Sequence, residues 1–372
     1  MGITVTPLQN TYLDRRKFIN MAWDIYQDYP NWVPPLKLDM HAMLNPEKHP
    51  YHDHAETQLF LAEKDGREAG RIAAHVNYAH NDYWQDQVGF FGFFECINDQ
   101  AVADALFDAA RTFLREHDRS HVRGPFNWTT NDNCGILLDA FVQPPVVMMP
   151  YNPPYYPQLI ENANLRKVKD LYAYHIEEAY EVPERLQRGV EVLKKRHDFS
   201  LRPLDMKHFW DEVAIIKRMY NSAWGRNWGA VPMTEDEINH TAKDLKMIVD
   251  PEVCFIAEVN GDPVGFSITL PDINQALWHT NGRLLPFGLF KLLWYRRQIN
   301  SVRVLLLGVL EDHRHHGIDV AMYYQTFKDG MERGYHSGEF SWILEDNYPM
   351  RHALEKFGAE IYKTYRVYQQ AL

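Results

Sequence analysis

The chain has 372 residues, enough for two or three domains of ordinary size, and its 45% hydrophobic and 13% aromatic content supplies more than one core. A net charge of −11 excludes a protein that grips nucleic acid through a basic surface, which has to displace counterions from phosphate. Cys96, Cys134 and Cys254 form neither a disulfide framework nor a paired zinc motif, and no apolar run reaches the ~20 residues that span a bilayer, so reduced core thiols and a cytoplasmic location are expected.

In chain order, Ile3–Leu8 reads as a strand, and Phe18, Ala22 and Ile25 recur at helical spacing after it. Leu59–Ala62 and Gly70–Val76 are strands joined by the turn Lys64-Asp-Gly66. Val88–Ile97 is an almost continuous apolar run and predicts a central strand. Gln100–His117 predicts a helix, and a strand starts at Val122. The stretch from Gly124 to Pro157, rich in Pro, Asn and Thr, is irregular. Glu178–Asp198 is charged and predicts a solvated connecting helix. Ser200–Leu204 then reads as a strand, Val213–Trp224 as a helix and Phe255–Leu270 as a hairpin. Val302–Leu310 is an apolar strand, Val320–Arg333 a helix, Phe340–Leu344 a strand, Pro349–Phe357 a helix and Ile361–Tyr368 a last strand.

The second half repeats the first. Phe60-Leu-Ala-Glu-Lys-Asp-Gly is echoed by Phe255-Ile-Ala-Glu-Val-Asn-Gly at a shift of 195 residues (255 − 60), and Asn152 and Asn347 share that shift. A period so much longer than the ~20–50 residues of a solenoid unit implies two copies of one globular fold. Each copy reads strand, helix, hairpin, long strand, helix, strand, helix, strand, an α/β (α+β) layer architecture.

This order, and the segment Leu307–Ala359 in particular, resembles the GNAT acyltransferase superfamily. Arg314-His-His-Gly317-Ile318-Asp319 matches that family's loop of pattern (Gln/Arg)-x-x-Gly-x-(Gly/Ala), and Asn347 with Phe357-Gly358 matches its later helix. The first-half counterpart, Glu95-Cys-Ile-Asn-Asp-Gln-Ala101, lacks the glycine-rich loop. The chain is similar more narrowly to the two-copy GNAT-like proteins of Gram-negative bacteria, a group taken to include bacterial ceramide synthases. The resemblance implies a duplicated GNAT-like fold of two mixed twisted sheets flanked by helices. Residues 1–180 would form an N-terminal domain with a degenerate phosphate loop, 181–198 a connector, and 199–372 the domain with the acyl-CoA site. It implies transfer of an acyl group from acyl-CoA, or an acyl carrier protein thioester, to an amine acceptor without a metal. A sphingoid-type lipid amine and peripheral contact with the inner membrane go with that implication. A small-molecule N-acetyltransferase and a non-catalytic ligand-binding module remain open.

The loop also makes physical sense, because a helix N-terminus presents unpaired N–H groups and partial positive charge to a pyrophosphate. With the resemblance, this implies a donor site of Gly308, Val309, Arg314, His315, His316, Gly317, Ile318, Asp319 and Asn347. Asp319 stands where the family prefers a small residue, and Leu354 where many members carry a tyrosine acid, which turns attention to Tyr362 or Tyr365. Glu345, just after a strand, and Glu95, alone in an apolar strand, are the expected bases; the structural reading of Glu95 is an ion pair with an arginine such as Arg123. Arg123, Asn127 and Asp132 mark a long loop suited to walling a substrate channel. No residue from Ile273 to Leu310 is acidic, and Phe290 and Trp294 lie there among large apolar residues with Lys291, Arg296 and Arg297. That composition suits an interfacial element or an acyl-chain entrance, and equally a buried helix with a basic end. The histidines at 49, 52 and 54 and at 313, 315 and 316 lack the spacing of a metal motif.

Overall fold

The computed structural model describes residues 2–177, 182–195, 199–224, 227–314 and 316–372. The first copy runs β1 (Ile3–Pro7), α1 (Tyr12–Ile25), α2 (Lys37–Met43), β2 (Ala55–Lys64), β3 (Arg67–Asn77), α3 (Tyr78–Trp84), β4 (Val88–Cys96), α4 (Gln100–Glu116), β5 (His121–Gly124), β6 (Ile136–Leu137), α5 (Tyr156–Asn162) and β7 (Arg166–Glu177). After α6 (Glu184–Lys195) come β8 (Phe199–Pro203), α7 (Phe209–Trp224), α8 (Glu235–Lys246), β9 (Phe255–Val259), β10 (Asp262–Pro271), α9 (Asn274–Leu277) and α10 (Gly288–Tyr295). The chain closes with β11 (Ser301–Val309), α11 (Ile318–Glu332), β12 (Ser337–Leu344), α12 (Tyr348–Phe357) and β13 (Glu360–Ala371).

The repeated motif is a repeated hairpin. Asp65 and Gly66, like Asn260 and Gly261, all have positive φ, as a two-residue type I′ turn demands, and they join β2 to β3 and β9 to β10. Gly70 stands opposite Ala62 and Cys96, and Gly265 opposite Ala257 and Val309, so the two glycines occupy equivalent places. Leu159 in α5 and Leu354 in α12 are both buried, again at equivalent positions. The two asparagines differ in detail. Asn347 caps α12 by accepting from the Met350 N–H, whereas Asn152 precedes α5 and bonds both backbone groups of Leu137.

The compact units do not follow the halves of the sequence. Unit 1 comprises residues 1–171, 276–295 and 363–372; unit 2 comprises 172–275 and 296–362. In unit 1 the order is β1-β2-β3-β4-β5, antiparallel except β4–β5, and β5 is completed by the C-terminal part of β13. Its core gathers Phe91, Phe94, Leu106, Phe107, Ala110 and Tyr156. α4 supplies that core because Val102, Leu106, Ala110 and Leu114 lie on one face at helical spacing. In unit 2 the order is β12-β11-β10-β9-β8, with β11 and β12 parallel, and its core holds Val304, Met322, Tyr323, Phe340, Leu354 and Phe357. In each unit the strand pairing is mixed, parallel and antiparallel, and helices flank the strands.

Two expectations change. The region read as a solvated connector contains α6, an amphipathic helix that buries Val190 and lays Leu186 and Leu193 on the unit 2 core. α8 was not anticipated, although Thr234 and Glu237 form a capping box whose pattern is visible in the sequence.

Candidate active site

The parallel ladder between β11 and β12 ends at the pair Val304–Phe340, while β11 runs on to Val309. At the same point Ile268 faces Leu306 and Thr269 faces Val304, so Leu305 is the extra residue of a β-bulge, a device that re-aims a strand. The N–H of Leu310 donates to Val264 of β10. Alternation along the strand therefore turns the backbone of Val309 to the opposite edge, into the opening. Its carbonyl accepts from Arg314 Nε at 3.1 Å.

Directly beyond lies Gly317, the N-cap of α11, in the left-handed region at φ 81°. A Cβ added there would meet nothing within 4 Å. Among the described residues no side-chain cap is seen at the start of α11, whereas α1, α4, α8 and α12 each have one. The first N–H groups of α11, including those of Ile318 and Asp319, point out of the helix start with the positive end of its dipole. Ile318 is buried and pins this start to the core, Asp319 is half-buried, and Arg314 and His316 are exposed beside it. His315 lies outside the described residues.

Unit 1 fills both equivalent places with its own groups. Its β4–β5 ladder ends at Phe90–Arg123, and the gap beyond is closed by the Phe126 N–H donating to Phe91 O at 2.8 Å and by Asn127 Oδ1 accepting from the Phe93 N–H at 2.7 Å. Gly92 is required there, since a Cβ would stand 1.9 Å from Phe126 O. The start of α4 is occupied by Asp99, whose carboxylate accepts from Ala101 and Val102 N–H and pairs with Lys64. The Lys64 hydrogen bond and those backbone N–H groups hold the Asp99 carboxyl below the usual range. The chain's own groups thus fill the helix start and strand edge in unit 1, while Gly317 brings no side chain to the matching helix start in unit 2.

The chain is 36% identical to bacterial ceramide synthase of Caulobacter vibrioides, over 100% of its own length and 98% of that protein. It is 34% identical to protein YghO of Escherichia coli K12, with 100% and 97% covered. Among solved structures it is similar to a tandem GNAT protein from the clavulanic acid biosynthesis pathway, at TM-score 0.58 and 12% identity over 100% of this chain and 98% of the other. No family model matches the chain. It belongs to the family of these two bacterial relatives, and its fold is that of the tandem GNAT proteins.

In this tandem GNAT fold the remaining candidate residues fall into distinct settings. Glu345 follows β12, half-buried, and its carbonyl accepts from Arg351 Nη1 at 2.6 Å. Arg351 also donates to Tyr174 OH at 3.2 Å and lies over the ring of Tyr172. Sequence reasoning missed a second carboxylate, Glu339, only 1% exposed and in register with Arg303 one pair before the opening. Its oxygens accept from Ser341 Oγ and Tyr362 OH, while Arg303 Nε donates to Ser341 Oγ at 2.9 Å. A lone glutamate in an apolar strand was the available signal, but that strand was read as starting at Phe340.

Glu95 lies in unit 1, where it pairs with Arg71 at 3.4 Å rather than with Arg123 and accepts from Tyr156 OH at 2.7 Å. Burial raises its pKa despite Arg71 and the tyrosine. Arg71 in turn donates to Phe18 O at 2.5 Å, so the network ties α1, β3, β4 and α5 together. Arg123 donates to Gln369 Oε1 at 2.7 Å, Asn127 belongs to the plug, and Asp132 accepts from the N–H and hydroxyl of Thr129. Tyr365 is fully buried in unit 1, beside Leu137 of β6. Phe290 and Trp294 are exposed on α10. Leu354 is wholly buried and offers no acid. Among the described residues no group of three or more His, Cys, Asp or Glu is placed to hold a metal ion, and no helix is long and apolar enough to cross a membrane.

Proposed function

We propose that the protein is an acyl-CoA-dependent N-acyltransferase that seats its donor in unit 2 and acylates a long-chain lipid amine of the sphingoid type. One observation carries the reading: the uncapped start of α11 stands beside the unsealed edge of β11, and the same two places in unit 1 are filled. Gly317, Arg314 and the first N–H groups of α11 would hold the pyrophosphate, and the open edge of β11 the amide-bearing arm of the donor. The long-chain acceptor is supported by the 36% identity to a protein named for ceramide synthesis.

In this reading the amine nitrogen attacks the thioester carbonyl and the backbone N–H of Val309 stabilises the developing oxyanion. The C–N bond forms, the C–S bond breaks, the thiolate leaves, and a carboxylate takes the ammonium proton. Glu345 is assigned that role because it stands half-buried just beyond the end of β12, at the mouth of the opening. Glu339 instead clamps Arg303, Ser341 and Tyr362 at the base of the opening.

The test is acyl transfer from palmitoyl-CoA to sphinganine, followed by mass spectrometry, alongside acetyl-CoA with small amines. Glu345→Gln should lower turnover by about 10²–10⁴ with donor binding retained. Acetyl transfer to small amines alone would replace the lipid reading. No acyl product from any pair, with no thermal stabilisation by CoA, would leave a non-catalytic module.

A further inference from the structure

The segment 276–295 joins unit 1 although it lies late in the chain, and it is held firmly at its base. Trp23 Nε1 donates to Asn281 Oδ1 at 2.9 Å, and the Lys37 N–H donates to Gly282 O at 3.0 Å. His279 stacks on Tyr295 with ring centroids 3.5 Å apart. Gly288 lets the chain fold back, since a Cβ there would stand 1.7 Å from Arg283 O.

On this anchored base the apolar side chains point outward. Leu285 is 79% exposed, Phe287 70%, Phe290 71%, Leu293 53% and Trp294 65%. Phe290, Leu293 and Trp294 share one face of α10 at i, i+3 and i+4. The buried-helix alternative for this segment is therefore excluded. Large apolar side chains clustered on a surface mark an interaction site, whereas single ones are ordinary.

The charge around the patch identifies the partner. No acidic residue occurs between Asp272 and Glu311 in a chain of net charge −11. Arg283 and Lys291 are exposed within the patch, and Lys37 is harder to protonate than usual, first through burial and then through the Arg283 and Arg16 charges, with Asp24 opposing. A rigid apolar crest rimmed by cations fits a lipid surface that is apolar below and anionic above.

We propose that α10 and the preceding turn Leu285–Phe287 dock the protein on an anionic bilayer. The aromatic and leucine side chains enter the headgroup boundary, and Arg283 and Lys291 meet lipid phosphate. The test is co-flotation of the full chain with vesicles of phosphatidylcholine alone and of phosphatidylcholine with phosphatidylglycerol. Binding should require the anionic lipid and weaken as salt rises. Phe290→Asp should lower the bound fraction about tenfold or more, and the pair Arg283→Glu with Lys291→Glu should abolish the preference for phosphatidylglycerol. Both variants alter exposed side chains, so an unchanged circular dichroism spectrum and melting temperature certify the fold. Absence of flotation, or flotation indifferent to Phe290→Asp, overturns the proposal. So does a dimer in sedimentation that Phe290→Asp dissociates, or salt-sensitive capture of acyl carrier protein without vesicle binding. Binding is read without turnover, so its failure leaves the acyltransferase reading standing.

Discussion

Replacing Gly317 with valine tests the donor site at its most specific residue. At φ 81° the backbone is in a region that glycine enters freely, and a β-branched residue is strained there by about 1–2 kcal/mol. Nothing within 4 Å would clash with the new Cβ, so the strain is the whole cost to the unliganded fold. The larger effect should fall on the ligand. The empty space in front of Gly317 is where a pyrophosphate has to stand to reach the N–H groups of α11, and the valine methyls would fill it. Losing one charge-assisted hydrogen bond costs about 1.5–3 kcal/mol, which is roughly a 10- to 150-fold weaker Kd for CoA. Calorimetric titration of CoA reads the affinity, and thermal unfolding reads the strain separately. Gly317→Ala supplies an intermediate, with a similar backbone penalty and less obstruction. A Gly317→Val protein that melts a few degrees lower yet binds CoA with wild-type affinity would remove the α11 start from the site.

Asp99→Ala removes the cap of α4 and should destabilise the protein by about 1 kcal/mol in urea unfolding while leaving CoA affinity unchanged; an equal loss of CoA binding would place the donor in unit 1. Because the Asp99 carboxyl is held low, its contribution is present above about pH 4 and is lost as pH falls through the depressed value, so wild type and Asp99→Ala should converge in acid. Burial pushes His75 down to about 3, and it stays neutral with Nε2–H donating to Phe126 O and Nδ1 accepting from Tyr51 OH. The unfolded chain takes that proton near pH 6.5, so folding stability should drop by about 2 kcal/mol between pH 7 and pH 5, and His75→Leu should flatten that slope; an unchanged slope refutes the burial argument.

Much of the fold was legible because its signals are local. The Asp-Gly and Asn-Gly turns, the apolar run of β4 and the α4 face each follow from a few neighbouring residues, and the echo at 195 residues needs no structure at all. The Arg314–Gly317 loop was legible for the same reason, as a glycine between a strand and a helix. What escaped depends on partners distant in sequence. Glu95 looked functional, yet Arg71 and Tyr156 meet it from 24 and 61 residues away. Asn127 looked like a loop residue and is half of the plug against β4. The division into units was hidden because the C-terminal part of β13 pairs with β5, more than two hundred residues earlier, and no periodicity reports such a ladder.

On the proposed function, the contrast between the copies explains how duplication would yield one site rather than two. A donor seat of this kind needs two unsatisfied backbone surfaces, a strand edge and a helix start, and both are costly to leave bare. Unit 1 resolves the cost internally. Asn127 and Phe126 satisfy the β4 edge, Asp99 satisfies the α4 start, and Gly92 and Gly124 make room for the plug, since a Cβ at either would collide with backbone oxygen. Unit 2 keeps Gly317 uncapped and its ladder short. In the proposed reading, what unit 1 supplies from its own chain at these two places a ligand supplies in unit 2. Transplanting an acidic cap should therefore convert one state into the other. Gly317→Asp would place a carboxylate at the α11 start, stabilise the helix as Asp99 does for α4, offset by the left-handed strain, and compete directly with a bound anion. CoA affinity should fall with little loss of melting temperature, a pairing that mere damage to the fold would not produce.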